Sequence, residues 1–350
     1  MAEKRALLIF PKMYSMVKAF EEGFRENGWE VSNHNNNAHI SKIQKKINRI
    51  MRKFPGKLRA RRYQYFLGQV NSPLLSTFHS MRPDIVLAYN SGMLLPETMR
   101  EMQKSAKVCF YMGDSPFYPT RTDTYLSCLM QADMILCPDT YWGKQLGGLG
   151  IGSVKPFLIG SSQETNHVQE VSEEEKKKWG SDLVFIGITS PSTRGFKRIL
   201  FLSQFCDFDM KIYTSRKIES WYQEFPQLQK RVVHPIKRLT DAELNTLLNC
   251  CKLYPVDSNT GMINGVHWRI FECIGSGILP LAEYRKDVKE IFGKEGLPII
   301  TNYKMAPDLA AYYLRNDNER KDIMAELRNF VEANYSPAQS IGRFLDDLRS

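Results

Sequence analysis

The sequence predicts an α/β protein with two parallel-sheet domains, on three observations. Short, apolar, β-rich runs alternate with helical patterns along most of the chain. The alternation stops once, in a polar stretch after Gly160, and then restarts. The chain has 350 residues, more than one hydrophobic core usually serves. Strands that alternate with helices form parallel sheets covered by helices on both faces.

In the first half, "RALLIF" is a strand and "MVKAFEEGFRENG" a helix closed by Gly28. "WEVSNH", "DIVLAYN", "KVCFYMG", "ADMILCP" and "VKPFLIG" follow as strands, and the asparagine cluster "NHNNNAH" as a loop. "SSQETNHVQEVSEEEKKKWGS" has no strand pattern and reads as a linker with a surface helix. The second half runs "SDLVFIGITS" (strand), "TRGFKRILFLSQFC" (helix), "DMKIYTS" (strand) and "TDAELNTLLNC" (helix). It continues with "CKLYPV" (strand), "WRIFECIGSG" (helix), then "ILPLAEY" and "LPIITN" (strands). Residues 305–350 are mainly helical, with a break at Pro337. The expected boundaries are 1–158, 159–335 and a last helix over 336–350.

Bulk properties narrow the class. No apolar run reaches the roughly 20 residues that span a bilayer. The start, "MAEKRALLIFPKMYS", reads as a first strand and not as a cleaved leader. Seven cysteines lie without metal-ligand spacing, which predicts a reducing, cytoplasmic setting and packing roles. Charge is unevenly placed. Residues 31–83 hold eleven Lys/Arg and no Asp/Glu, more than the whole chain's net charge of +10. Within "ISKIQKKINRIMRKFPGKLRARRYQYF", apolar residues recur at helical spacing from Ile40 to Phe54, and Lys45, Lys46, Arg49 and Arg52 fall between them. Such a helix can lie peripherally on the inner face of an anionic membrane, or pack its isoleucines on the first domain and present its cations to solvent or an acidic ligand. RNA phosphate is a third partner class, without a supporting RNA-binding motif.

In open parallel sheets, ligands bind beyond the carboxyl ends of the strands, so residues just after strands are the candidates. The stretch "INGVHWRIFECIGSGILPL" places Arg269 and Glu272 three residues apart on one helix face, while Ile270, Phe271, Cys273 and Ile274 can face the sheet. The preceding loop "SNTGMING", with Asn264 and Gly265, is rich in turn formers. A helix N-terminus after such a loop attracts anions, and Arg adds a planar fork of donors. A carboxylate one turn in can accept hydrogen bonds from two vicinal hydroxyls, such as those of a ribose. The pattern therefore points to a nucleotide; its rival is a solvated ion pair on an ordinary helix.

The segment "NGVHWRIFECIGSGILPLAEYRKDVKEIF" resembles the donor-binding segment of GT-B glycosyltransferases, and most of all the branch of CgeB-type, spore-maturation-like transferases. Gly265, Arg269, Phe271, Glu272 and Gly277 match that pattern. The resemblance implies two Rossmann-like domains facing a central cleft, with the acceptor in the first and a nucleotide-sugar in the second. It implies that Glu272 holds the ribose and that protein groups, not a metal, neutralise the diphosphate. Asn264 stands where many retaining members carry a second Glu, which leaves the stereochemical outcome open.

Two further pieces follow strands. "DLVFIGITSPSTRGFKRILFL" ends a strand at Gly187 and carries Arg194 and Lys197 on the next helix, suited to diphosphate oxygens or simply solvated. In "KVCFYMGDSPFYP", Asp114 is placed either to act as the base that deprotonates an acceptor hydroxyl or to cap the turn before Pro116. Lys12 and Ser15, after the first strand, are ordinary loop residues or contacts to phosphate or acceptor. The expected function is glycosyl transfer from a nucleotide-sugar to a hydroxyl of a surface polysaccharide or lipid-linked glycan, with no metal or cofactor. The rivals are a nucleotide-sugar epimerase or hydrolase of the same fold, and a basic nucleic-acid-binding protein.

Overall fold

Among the described residues, eleven strands pair in parallel register into two sheets. The structure, a computed structural model, describes residues 4–11, 15–51, 56–118, 123–188, 193–214 and 224–350. The first sheet is built from β1 (Arg5–Ile9), β2 (Glu30–Asn33), β3 (Ile85–Tyr89), β4 (Lys107–Tyr111), β5 (Met134–Cys137) and β6 (Val154–Pro156). Its order is β2-β1-β3-β4-β5-β6. The second is built from β7 (Ser181–Ile186), β8 (Met210–Tyr213), β9 (Cys251–Val256), β10 (Leu279–Glu283) and β11 (Ile299–Ile300), in the order β11-β10-β9-β7-β8. In both sheets the second strand lies outside the first, and the third pairs with the first on its other side. The order therefore reverses once in each sheet, between β1 and β3 and between β7 and β9. Such reversals open a crevice at the carboxyl edge, where adjoining loops turn to opposite faces.

The central strands are buried on both faces, so their sequences are continuous apolar runs rather than alternating ones. All four residues of β5 and all five of β10 are buried. The chain divides into two compact units: Met1–Phe157 with Ile341–Ser350, and Leu158–Ser340. The last ten residues belong to the first unit through the helix Pro337–Arg349. Its Phe344 meets Phe24 and Phe157 edge-on at 6.2 and 6.5 Å, and Asp347 pairs with Lys155 at 3.0 Å. In the second unit, Ile270, Phe271, Cys273 and Ile274 are buried in one core with β7, β9 and β10. Capping boxes at Ser172/Glu175 and Thr240/Glu243 fix the starts of the helices Glu173–Trp179 and Asp241–Asn249.

Two local expectations change. The asparagine cluster is not a plain loop: Asn36–His39 form a 3₁₀ turn that packs on the helix α3 (Gly56–Met81), here following α1 (Met16–Glu26) and α2 (Lys42–Met51). His34, just before the turn, holds Thr77 of α3 at 3.0 Å. The last strand pattern, "LPIITN", shortens to the two residues of β11, because Asn302 caps a 3₁₀ turn by accepting from Lys304 N–H.

Candidate active site

The second unit gathers charge at the carboxyl edge of its sheet. Gly187 follows β7, Asp257 and Ser258 follow β9, and Glu283 ends β10. The helix Thr193–Ser203 brings Lys197 and Arg198 over these ends. Arg198 Nε donates to both oxygens of Asp257, at 3.0 and 2.9 Å, and its Nη1 donates to Ile188 O at 2.6 Å. The guanidinium also lies 5.2 Å from the Phe185 ring. Both partners are buried, so neither charge can be left alone without a large penalty. Asp257→Ala is expected to destabilise the protein by about 3–5 kcal/mol in urea unfolding, because it strands the Arg198 charge. Gly187 is required by this packing: a Cβ there would lie 2.7 Å from the Phe185 ring.

Glu283 is 7 % exposed and ties three elements together. Its Oε2 accepts from Lys197 Nζ at 2.5 Å and from Ser258 N–H at 2.9 Å, and its Oε1 accepts from Tyr303 Oη at 2.9 Å. Lys197 Nζ donates a second bond to Ser258 O at 2.9 Å. An ammonium has three donors, so among the described residues one is left without a partner. Arg285 Nη2 lies 3.5 Å from the same carboxylate. Burial pushes the Tyr303 hydroxyl well above its ordinary pKa, and Glu283 pushes it further, so it stays a neutral donor.

The helix Arg269–Gly275 follows a turn at His267 and Trp268; His267 Nδ1 accepts from Arg269 N–H at 3.0 Å. Arg269 Nη1 and Glu272 Oε2 are 2.6 Å apart, yet Nη1 makes no aligned hydrogen bond there. The guanidinium also lies 5.6 Å from the Tyr254 ring, whose hydroxyl donates to Ile186 O at the end of β7. The predicted pair thus exists and reaches the β7/β9 reversal. Glu272 is 3 % exposed and Arg269 is the more open partner. The helix has only seven residues, so side-chain cations rather than its free N–H groups would meet an anion. Asn264 fixes the preceding loop: its carbonyl accepts from Asp287 N–H at 2.9 Å, and Gly265 beside it is buried.

Arg194 occupies the first turn of the helix Thr193–Ser203, but its side chain lies outside the described residues, as do Lys12 and the loop 189–192. Among the described residues, Lys197, Arg198, Arg269 and Arg285 pair with Asp257, Glu272 and Glu283 at this edge. Sequence reasoning named Lys197, Arg269 and Glu272. It passed over Arg198, Asp257, Ser258, Glu283 and Tyr303, whose pairing depends on tertiary structure.

The first unit has its own polar cluster at the β1/β3 reversal. Asp114, three residues past β4, lines a cavity of about 200 Å³ with Phe10, Asn36, Tyr89, Asn90 and Ser91. Asn90 orients it: its Nδ2 donates to Asp114 Oδ2 at 3.2 Å, and its Oδ1 accepts from Gly113 N–H at 3.0 Å. Asn90 takes φ +43°, a left-handed conformation that asparagine tolerates better than most residues. Gly113 has no room for a side chain, because a Cβ would collide with the Tyr89 ring. In the Asp-Ser-Pro turn, Ser115 Oγ accepts from Phe117 N–H at 3.3 Å. Asp114 therefore faces the cavity while also bonded across to the loop after β3.

In the basic segment, α2 leaves Ile43, Ile47 and Ile50 exposed at 71, 36 and 49 %. Ile40 instead packs against Phe66, Leu67 and Val70 of α3. Lys46 is exposed; Arg52 and the side chains of Lys45 and Arg49 lie outside the described residues. Among the described residues, no helix is long and apolar enough to cross a membrane, and no group of three or more His, Cys, Asp or Glu is placed to hold a metal ion.

A family model described as glycosyl transferase-like matches residues 198–346. No curated protein sequence matches the chain. Solved structures match over its full length at low identity. Sucrose-phosphate synthase from Thermosynechococcus elongatus aligns at TM-score 0.69 and 10 % identity, covering 99 % of each chain. HepE from Anabaena, in complex with UDP and glucose, aligns at TM-score 0.62 and 11 % identity, over 98 % of this chain and 100 % of that one. A protein named as a UDP-N-acetylglucosamine 2-epimerase, from Listeria monocytogenes, aligns at TM-score 0.60 and 14 % identity, over 100 % and 96 %. The architecture is GT-B, and residues 198–346 are similar to the glycosyl transferase-like family.

Proposed function

We propose that the chain moves a sugar from a UDP-sugar to a hydroxyl of a glycan or lipid-linked acceptor. The observation that carries this reading is the cluster at the β7/β9 reversal, where the Arg269–Glu272 pair and Lys197 meet the strand ends. UDP is the nucleotide of choice because HepE, of the same fold, is described in complex with it. In this reading Glu272 holds the ribose hydroxyls, and Lys197, Arg269 and Arg194 meet the diphosphate without a metal. Gly187, Asn264 and Gly265 shape the backbone around the nucleotide. The Gly265, Arg269, Phe271, Glu272, Gly277 pattern supports placing the chain in the CgeB-type branch.

The acceptor belongs to the first unit, with Asp114 as base. Its carboxylate takes the proton of an acceptor hydroxyl, and the oxygen bonds to the anomeric carbon of the donor. The bond from that carbon to the diphosphate oxygen breaks, and UDP leaves with the electron pair. Direct displacement of this kind inverts the anomeric centre. The test is UDP release from a panel of UDP-sugars, with and without methyl glycosides as acceptors. Release that depends on acceptor, with a new glycosidic bond by NMR, is expected. Acceptor-independent conversion of the UDP-sugar would identify an epimerase or hydrolase instead.

The exposed isoleucines of α2 favour peripheral membrane docking over packing on the first unit, because side chains open to solvent are free to enter a head-group layer. Each Lys or Arg near an anionic surface contributes about 1 kcal/mol. Wild type should pellet with phosphatidylserine vesicles at low salt and be released at high salt. Changing Lys45, Lys46, Arg49 and Arg52 to Glu should abolish pelleting while thermal stability holds. Wild type that stays in the supernatant at low salt would rule docking out, and steeply salt-dependent RNA binding would point to nucleic acid.

A further inference from the structure

The second sheet interrupts its own ladder at the point where its strand order reverses. β7 and β9 register Ser181 with Cys251 and Leu183 with Leu253, and among the described residues no further pair joins them. Each strand runs on, β7 to Ile186 beside β8 and β9 to Val256 beside β10. The cause lies in the sequence. Leu183 N–H donates to Asp209 O on the β8 side, so the next rung between β7 and β9 would be Phe185 with Pro255. That rung needs an N–H from Pro255, which proline lacks. Tyr254, the neighbour of Pro255, fills the gap with its side chain. Its hydroxyl accepts from Ile186 N–H at 3.0 Å and donates to Ile186 O at 2.9 Å, so both main-chain groups of the last residue of β7 have a partner. Burial pushes this hydroxyl well above its ordinary pKa, against the opposing charge of Arg269, which keeps it a donor.

The ring anchored in this way carries a cation. Tyr254 is 1 % exposed, and its ring lies 6.0 Å from that of Phe185. The Arg269 guanidinium lies 5.6 Å from the Tyr254 ring, as that of Arg198 lies 5.2 Å from Phe185. The two arginines differ in what else holds them. Arg198 is locked by hydrogen bonds to Asp257 and Ile188, whereas Arg269 Nη1 has Glu272 2.6 Å away without an aligned hydrogen bond. The Tyr254 ring is then the contact that sets the plane of the Arg269 guanidinium.

We propose that Tyr254 is a positioning residue of the donor site: its hydroxyl closes the interrupted ladder, and its ring holds Arg269 in the posture that meets the diphosphate. This rests on the reading of Arg269 as a diphosphate contact. Tyr254 itself is sealed in the core and touches no ligand. A group that pre-sets a binding side chain lowers the ordering cost of binding, and it acts only on the part of the ligand that this side chain meets.

Tyr254→Phe and Tyr254→Met test this on the full chain. Both lose the hydroxyl, and only the first keeps a ring under Arg269. Both should unfold at lower urea than wild type, because Ile186 N–H and O lose their partner. In calorimetry, Tyr254→Phe should bind UDP nearly as wild type does. Tyr254→Met should bind it about five- to thirtyfold more weakly than Tyr254→Phe, the worth of a partly desolvated cation–π contact. Uridine, which lacks the phosphates, should bind wild type and both variants alike in an NMR titration. In an Arg269→Met background the difference between the two variants should vanish. Circular dichroism checks folding, and Tyr254→Leu replaces Tyr254→Met if that protein does not fold. Equal UDP affinity in Tyr254→Phe and the ringless variant, an equal loss for uridine, or a difference that survives Arg269→Met would overturn the proposal alone, provided wild type binds UDP. Failure of UDP to bind wild type would overturn the donor reading and the proposal together.

Discussion

Asp114→Asn is expected to cut turnover by about 10²–10⁴-fold, the contribution of a positioned general base. The substitution keeps the shape of the side chain and a carbonyl oxygen for Asn90 Nδ2, which now lies 3.2 Å from the carboxylate. It removes only the ability to take a proton. UDP affinity should therefore stay at the wild-type level, since Asp114 belongs to the first unit and the residues proposed to hold the nucleotide belong to the second. The measurement is kcat at saturating acceptor beside a UDP titration. Near-normal kcat would return Asp114 to the role of a turn residue. A retained anomeric configuration in the product would also remove the need for this base.

Glu272→Gln is expected to weaken UDP about ten- to a hundredfold, because hydrogen bonds to a charged group contribute about 1.5–3 kcal/mol. Glu272 also neutralises Arg269, 2.6 Å away, so the same change should lower stability. Breaking a buried pair costs about 3–5 kcal/mol, and the greater exposure of Arg269 places this pair toward the lower end. The double variant Arg269→Met/Glu272→Gln separates the two effects. It should recover part of the stability, since no charge is left unpaired, and recover none of the affinity. An affinity that returns with the stability would show that Glu272 acts only through folding.

The strands were legible for a physical reason. A parallel strand covered on both faces has no polar positions to spare, so "KVCFY" and "MILC" stand out against the helical spacing around them. The two halves were legible because the polar stretch after Gly160 breaks that rhythm. The short β11 was harder, since "LPIITN" carries a strand's composition but ends in an asparagine that caps a turn. The basic segment was legible as an amphipathic helix, but not which way its isoleucines face. That depends on what α3 leaves uncovered, and α3 takes up Ile40 and not Ile43, Ile47 or Ile50.

The candidate site divides along the same line. Arg269 and Glu272 were readable because a three-residue spacing makes them neighbours wherever the helix forms. Asp257 and Arg198 were not, since their bond joins positions 59 residues apart, and nothing in "TRGFKRILFL" distinguishes Arg198 from a solvated cation. Glu283 looked like the end of an apolar strand; only the β10 register brings it to Lys197, Ser258 and Tyr303. Asn36, in a 3₁₀ turn, and Ser91, just after β3, lie 55 positions apart in the sequence. They become one cavity because the strand order reverses between β1 and β3, which is a property of topology and not of either loop.

The nucleotide site of the second unit is the central claim, and a calorimetric titration of the wild-type chain with UDP, repeated on Glu272→Gln, tests it most directly. The account predicts that UDP binds wild type with one site, that it adds about 2.7 kcal/mol of stability at a hundredfold its dissociation constant, and that Glu272→Gln loses about ten- to a hundredfold in affinity. Failure of UDP to bind the wild-type chain, or equal affinity in the folded variant, would contradict it.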